Sequence, residues 1–187
     1  MIVQRSYPSC PSSLHSKHRA RLSSRYLRYR PARHRKIPLE YYSADGLGLG
    51  KLMMLWKGML PVRGDVVIVE DDPVLRPLMS EILEGSGAVI HSFESADDAL
   101  VYMLASHQEC SLVIADHNVP GQLQGAELMA MIKSKWPLTP LILTSGYMAG
   151  SIKVPDGVVY VQKPWDLDDL IKIVADLLQP GVSVSRR

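Results

Sequence analysis

The sequence predicts an α/β domain with a doubly wound, five-stranded parallel sheet, and two observations support this fold class. Short aliphatic runs without polar alternation recur between residues 64 and 179, as they do in strands buried on both faces of a parallel sheet. Helical patterns with their own start signals lie between these runs, so that strand and helix alternate along the chain. We therefore expect one such domain over residues 64–179.

The strands follow from the aliphatic runs. Four clear runs lie at residues 66–69, 112–115, 141–143 and 158–161. A fifth, weaker run lies at residues 88–93, where His91 interrupts the apolar pattern, and we place this strand at the sheet edge or half exposed. In open sheets of this kind, ligands bind beyond the carboxyl ends of the strands, at the switch in strand order.

Three of the four predicted helices have a cap as their start signal. These caps are Asp72 before Pro73, a capping box from Ser95 to Asp98 in which Asp replaces Glu, and Asp166, while the third helical pattern runs from Gly125 to Lys135. An apolar stripe at helical spacing follows each signal, and Pro137 ends the third helix. The patterns predict helices after the first, second, third and fifth strands.

Charge divides the chain into two parts. Residues 1–62 contain 12 Lys or Arg and two acidic residues, a net charge of +10, whereas residues 63–187 contain 9 basic and 17 acidic residues, a net charge of −8. The first part is rich in Arg, Ser, Pro and Tyr and has no sustained periodicity, which is typical of disorder. We expect a disordered basic N-terminal arm at 1–62, the folded domain at 64–179 and a short tail at 180–187.

Cysteine and hydropathy patterns indicate a cytoplasmic protein. Cys10 and Cys110, one in each part, give no disulfide framework and predict a reducing compartment. No apolar run approaches the roughly 18 residues of a membrane span. Arg5 and Pro8 stand where a secretory leader needs an apolar block. We expect neither export nor a membrane partner.

Polar side chains follow four of the predicted strands. Glu70 and Asp71 follow the first strand, Asp116 the third, Thr144 the fourth and Lys163 the fifth. Crowded carboxylates repel one another unless a cation binds, and hard oxygen ligands of this kind suit Mg²⁺ or Mn²⁺. A carboxylate nucleophile, a metal and fixed donors around a phosphoryl group are the parts of a phosphoryl-transfer site.

Four motifs at these positions resemble the receiver domains of two-component response regulators, a mainly bacterial family. They are VVIVEDD at residues 66–72, VIADHNVPG at 113–121, LILTSG at 141–146 and YVQKP at 160–164. Each motif alone is weakly specific, but the four occur in order and at family-like spacing over nearly all of residues 64–179. The resemblance implies the flavodoxin-like receiver fold.

The resemblance also implies a role for each matching residue. Asp116 matches the phosphoacceptor, and Lys163 and Thr144 match the ammonium and the hydroxyl that bind the phosphoryl group. Tyr160 matches the aromatic residue that switches together with Thr144. The implied metal ligands are Asp71, Asp116, Glu70 acting through water, and the backbone carbonyl of Asn118. Pro164 is implied to follow a cis peptide bond.

The region after Thr144 departs from the family pattern. Only 15 residues separate Thr144 from Tyr160, and they include Pro155 and several glycines. We expect no full fourth helix here, and therefore expect output through a surface other than the usual fourth-helix face, near the first helix. About eight residues follow the last helix, and they do not resemble an output domain.

These features predict a phosphoacceptor response regulator that is phosphorylated by a histidine kinase or phosphotransfer protein and signals through protein contact. Beyond catalysing its own phosphorylation and slow dephosphorylation, it is not expected to be an enzyme. One alternative is a phosphorylation-independent docking module with the receiver fold. Another is nucleic-acid binding through residues 17–36, where residues 25–30 interleave Arg with Tyr.

The arm allows other interpretations as well. Three further interpretations of residues 1–62 are an inert tail, an organelle transit peptide, and an upstream segment that is not translated because translation starts at Met53, Met54 or Met59.

Overall fold

A computed structural model of the chain describes residues 56–58, 61–62, 64–106, 110–148 and 150–186. Most of the predicted arm, including residues 17–36, lies outside these ranges. No helix in the described part of the chain combines the length and the apolar character that crossing a membrane requires.

A five-stranded parallel sheet forms the centre of the domain and confirms the predicted fold class. Its strands are β2 (Asp65–Val69), β3 (Val89–Phe93), β4 (Leu112–Asp116), β5 (Leu141–Ser145) and β6 (Val159–Gln162). They lie in the order β3-β2-β4-β5-β6, so the chain reverses its winding direction between β2 and β4. The weak run at residues 88–93 is an edge strand, as predicted.

Helices cover both faces of the sheet. They are α1 (Leu75–Glu84), α2 (Ala96–Ser106), α3 (Gly125–Lys135) and α4 (Leu167–Leu178). One core cluster joins α2 and α3 to alternate strand residues such as Val67 and Val113, and a second joins α1 and α4 to their neighbours Val66 and Leu112. Both faces of β2 and β4 are therefore apolar, which explains why these strands appear in the sequence as unbroken aliphatic runs.

Hydrogen bonds confirm the helix starts predicted at Ser95 and Asp166. The predicted start of α1 at Pro73 is wrong by two residues, since α1 begins at Leu75 with Val74 as its N-cap, but Asp72 still binds backbone donors at that start. Asp72 accepts from the backbone N–H groups of Val74 and Leu75, at 2.8 and 3.0 Å. The Ser95 hydroxyl accepts from the Asp98 N–H at 3.1 Å, and the Asp166 carboxylate accepts from the Asp169 N–H at 2.8 Å. Each cap satisfies backbone donors that a helix leaves unpaired in its first turn.

The connection between β5 and β6 contains no helix in its described residues, 146–148 and 150–158. The prediction that the fourth helix of the family pattern is missing is therefore confirmed for these residues. Ile152, Val154 and Val158 instead pack against the core cluster beneath α2 and α3, while Tyr147 and Met148 are exposed.

A short antiparallel ribbon ties the two ends of the described chain together. Strand β1 (Trp56–Lys57) pairs with β7 (Ser185–Arg186), and the Gln179 side chain donates to the Gly58 carbonyl at 2.9 Å. Val62 is buried in the core and donates its N–H to the Ser86 carbonyl at 2.9 Å. Translation starting at Met59 would remove this ribbon, whereas Met53 and Met54 both precede it.

Asp169, in the first turn of α4, is a buried carboxyl group whose Oδ2 has no hydrogen-bond partner among the described residues. The residue is 5% exposed, and burial raises the pKa of its carboxyl above the ordinary value of 3.8, although Lys172 acts in the opposite direction. The folded state therefore holds a proton on Asp169 more readily than the unfolded state does, and the ionised form destabilises the fold at neutral pH.

We expect Asp169→Asn to stabilise the protein at pH 7 by about 1 kcal/mol, because an uncharged amide is cheaper to bury than a carboxylate. The difference in the free energy of unfolding between Asp169→Asn and wild type should shrink as the pH falls through the raised pKa of Asp169, because the carboxyl group of wild type then becomes neutral as well. Urea unfolding at a series of pH values measures both effects. Asp176→Asn, on an exposed position of the same helix, is the control and should change little.

Candidate functional site

Carboxylates gather where the winding direction of the sheet reverses. Glu70 and Asp71 follow β2, and Asp116 is the last residue of the neighbouring strand β4. One carboxylate oxygen from each of these three residues lies within 4.8 Å of the other two. The structure thus brings together the three acidic side chains that the sequence placed at one edge of the sheet.

Lys163 enters this acidic cluster from the end of β6. Its Nζ donates to both carboxylate oxygens of Glu70, at 3.0 and 2.9 Å, and to Asp116 Oδ2 at 2.8 Å. Burial lowers the pKa of Lys163, but its hydrogen bonds to Asp116 and Glu70 more than offset this effect, so the pKa is raised and the ammonium stays charged. The peptide bond from Lys163 to Pro164 is cis, as expected.

The two neighbouring acids after β2 have opposite environments. Glu70 is 1% exposed, and burial raises the pKa of its carboxyl although the Lys163 hydrogen bonds act against this. Asp71 is exposed, and its carboxylate has no hydrogen-bond or ion-pair partner among the described residues. Lys163 therefore compensates the charge of Glu70, while Asp71 remains available to a ligand from solvent.

Asp116 has one paired and one unpaired oxygen. Its Oδ2 accepts from Lys163, whereas its Oδ1 is buried and has no hydrogen-bond partner in the part of the chain that the structure describes. A buried carboxylate oxygen without a partner is costly, since it has lost its water and gained no donor. Together with the nearby oxygens of Asp71 and Glu70, this atom fits a hard divalent cation such as Mg²⁺.

The predicted switch residues lie on the two strands next to Asp116. Thr144 is fully buried, pairs in register with Asp116, and directs its hydroxyl to the Ala115 carbonyl at a long 3.5 Å. Tyr160 on β6 is half-buried and donates its phenolic hydroxyl to the Tyr147 carbonyl. Burial raises the pKa of Tyr160 above the ordinary value of 10.0, although a hydrogen bond with Ser145 acts in the opposite direction.

Asn118 lies on the exposed loop between β4 and α3. This loop is held by Asp97 of α2, whose Oδ2 accepts from the N–H groups of Gln122 and Leu123 at 2.9 and 3.2 Å. The sequence placed Asp97 inside a capping box, but Ser95 and Asp98 make the capping contacts. Contacts over 25 and 26 residues leave no local signal, so the role of Asp97 as an anchor of this loop was missed.

Comparisons with known proteins identify the family and the fold of the domain. A family model described as the response regulator receiver domain matches residues 66–175. The response regulator protein FleR of Pseudomonas aeruginosa is 32% identical over 114 residues, which are 59% of this chain and 24% of that protein. The chain spans about a quarter of the length of the curated relatives it matches.

Solved structures give the same result for the fold. The signal receiver domain of an HD domain-containing protein from Pseudomonas fluorescens is 28% identical, with a TM-score of 0.56, covering 63% of this chain and 96% of that one. The response regulator TrrA of Thermotoga maritima, crystallised in complex with Mg²⁺-BeF, is also 28% identical, with a TM-score of 0.54, covering 62% of this chain and all of that one.

Proposed function

Because this chain belongs to the response regulator receiver domain family of two-component systems, we propose that Asp116 accepts a phosphoryl group from a histidine kinase or a phosphotransfer protein. The observation that carries the proposal is the unpaired, buried Oδ1 of Asp116 beside two further carboxylates and one ammonium. A nucleophile, an anion-binding group and a metal-binding set then occupy one pocket, as phosphoryl transfer requires.

In this proposal Asp71 and Asp116 hold a Mg²⁺ or Mn²⁺ ion, together with the Asn118 carbonyl and with Glu70 acting through water. The relative TrrA was crystallised with Mg²⁺-BeF, which supports this choice of ion. When bound, the ion neutralises charge that develops on the phosphoryl oxygens. The Asp116 carboxylate forms the new O–P bond as the P–N bond to the phosphohistidine of the donor protein breaks, and the donor histidine leaves with the electron pair of that bond.

The new aspartyl phosphate is bound by the side chains around it. Lys163, already 2.8 Å from Asp116, pairs with a phosphoryl oxygen, and the Thr144 hydroxyl turns from its long contact with Ala115 towards the phosphate. Phosphorylation adds up to about two negative charges at this position. The movement of Thr144 frees space beside β6, so the contact between Tyr160 and Tyr147 changes and a partner protein recognises the difference.

The proposal treats the domain as a signalling protein of the cytoplasm and not as an enzyme with a separate substrate. Its only chemistry is its own phosphorylation and the slow hydrolysis that follows. The curated relatives of the chain are much longer proteins. The partner of this chain and the surface that it contacts are therefore part of the proposal as well.

Intact-mass spectrometry after incubation with acetyl phosphate and Mg²⁺ tests the proposal. Wild type is expected to gain the mass of one phosphoryl group, and the adduct should be lost in alkali, as an acyl phosphate is. The gain should be absent with a chelator present and absent in Asp116→Asn. Asp156→Asn, which removes an exposed acid before β6, should behave as wild type.

A folded protein that gains no phosphoryl group at high Mg²⁺ would contradict the proposal. That result would favour the alternative of a phosphorylation-independent docking module, which is consistent with the lack of a helix in the described residues 146–148 and 150–158.

A further inference from the structure

Arg76, in the first turn of α1, connects two loops at the edge of the acidic site. Its Nη1 donates to the Glu70 carbonyl at 2.8 Å and to the Asp71 carbonyl at 3.4 Å. Its Nη2 forms an ion pair of 2.6 Å with Glu94 Oε1, on the loop after β3. The arginine side chain is 18% exposed and its partner Glu94 is 70% exposed, so the contact to the Glu70 carbonyl is partly buried while the ion pair lies at the surface. The chemistry proposed above makes no use of Arg76.

The contacts of Arg76 fall on the backbone that carries the acidic pair. Asp71 has no partner of its own for its carboxylate among the described residues, so the contacts that hold the main chain of residues 70–71 fix the position from which that side chain extends. The N–H of Glu70 donates to the Phe93 carbonyl at 3.0 Å, and this contact holds the loop only on its β3 side. The guanidinium group of Arg76 supplies the contacts to the carbonyl oxygens.

The Arg76 guanidinium also has the right shape and charge for this position. It is planar and permanently charged, and its donors point in fixed directions, so one group reaches two carbonyls and a carboxylate at once. A single side chain thus ties the backbone of residues 70–71 to the loop after β3.

We propose that Arg76, braced by Glu94, is a positioning residue that places the Asp71 carboxylate for the divalent ion. The inference rests on the proposed function of the acidic site. Mg²⁺ requires near-ideal octahedral geometry, so a small displacement of one carboxylate weakens its binding. Groups that orient metal ligands without touching the ion typically change affinity 10- to 100-fold when they are removed.

Four variants test this proposal, each with two readouts. The first readout is the Mg²⁺ affinity of the unphosphorylated full-length protein, measured by calorimetry. The second is the rate of phosphorylation by acetyl phosphate as a function of Mg²⁺ concentration. The variants are Arg76→Gln, Arg76→Lys, Glu94→Gln and the control Lys135→Gln. Lys135 is an exposed cation in the last turn of α3, at the opposite end of the sheet.

Arg76→Gln is expected to weaken Mg²⁺ binding about 10-fold while the phosphorylation rate at saturating Mg²⁺ stays within about 2-fold of wild type. Arg76→Lys keeps the charge but cannot span the three acceptors, so it should weaken binding nearly as much. Glu94→Gln should weaken it about 3-fold, and Lys135→Gln should leave it unchanged. Thermal unfolding shows whether each variant is folded. If Arg76→Gln does not fold, Arg76→Lys and Glu94→Gln still test the proposal.

Several results would overturn the proposal. Arg76→Lys equal to wild type would mean that only the charge matters, and equal affinity in Arg76→Gln and wild type would mean that Arg76 does not position Asp71. A rate that falls at saturating Mg²⁺ while the affinity stays constant would assign Arg76 to another step. If wild type itself bound no Mg²⁺ and gained no phosphoryl group, the proposed function would fail before this inference is reached.

Discussion

We expect Lys163→Met to lower the rate of phosphorylation by acetyl phosphate about 100-fold at saturating Mg²⁺, because the variant loses the ammonium that donates to Asp116. The same change should destabilise the metal-free protein at pH 7 by about 3 kcal/mol, since it leaves Glu70 and Asp116 buried without a counter-charge. Rates are measured by intact mass over time, and stability by urea unfolding with a chelator present.

The destabilisation should depend on pH in a defined direction. Burial already raises the pKa of Glu70 above its ordinary value of 4.5, and loss of Lys163 raises it further. A raised pKa means that the folded state takes up the proton first, so stability is regained as the pH falls from 7 through that raised pKa. The difference in the free energy of unfolding between Lys163→Met and wild type should therefore become smaller as the pH is lowered.

Two further variants separate the charge of Lys163 from its position. Lys163→Arg keeps a cation in the pocket, so it should restore much of the stability but little of the rate, because the larger group cannot reach the same oxygens. Adding Glu70→Gln to Lys163→Met removes one of the two buried charges left without a counter-charge, so it should recover part of the stability without recovering the rate. Unchanged phosphorylation in Lys163→Met would contradict a role for this ammonium in binding the phosphoryl group.

The fold was predictable because its strands and helices are encoded by local pattern. Buried parallel strands need apolar side chains on both faces, and this produces the aliphatic runs that became β2, β4 and β5. Helix caps use hydrogen bonds between residues two or three apart, so Asp72 and Asp166 were visible as start signals. Sheet topology then brought the residues after each strand to one edge.

The parts that were missed depend on contacts between distant segments. Arg76 reads as a polar position on an amphipathic helix, and its ion pair with Glu94 spans 18 residues. Glu70 is buried and Asp71 is exposed because of the way the chain turns after β2. Two acidic residues next to each other in the sequence do not indicate which of them is buried. The ribbon between β1 and β7 joins the two ends of the domain and has no strand-like pattern, since each strand has two residues.

Gly125 is the clearest case of a residue whose role only the structure shows, because the sequence marked it simply as the start of α3. A Cβ atom at Gly125 would lie 2.1 Å from the Asp116 carbonyl oxygen, 2.8 Å from its carbonyl carbon and 2.9 Å from the His117 Cα. All three are main-chain atoms that cannot rotate away. The Gly125 N–H also donates to the His117 carbonyl at 3.0 Å, so α3 cannot move outward without breaking this bond.

We expect Gly125→Ala to destabilise the protein by about 3 kcal/mol, at the upper end of the cost of overpacking a dense core. Gly146→Ala is the matched control: a Cβ there would meet no atom within 4 Å, so its effect on urea unfolding should be small. Because the crowded backbone belongs to the proposed phosphoacceptor, any folded Gly125→Ala protein should also bind Mg²⁺ more weakly and be phosphorylated more slowly. Stability and phosphorylation equal to those of Gly146→Ala would mean that α3 does not hold Asp116 in place.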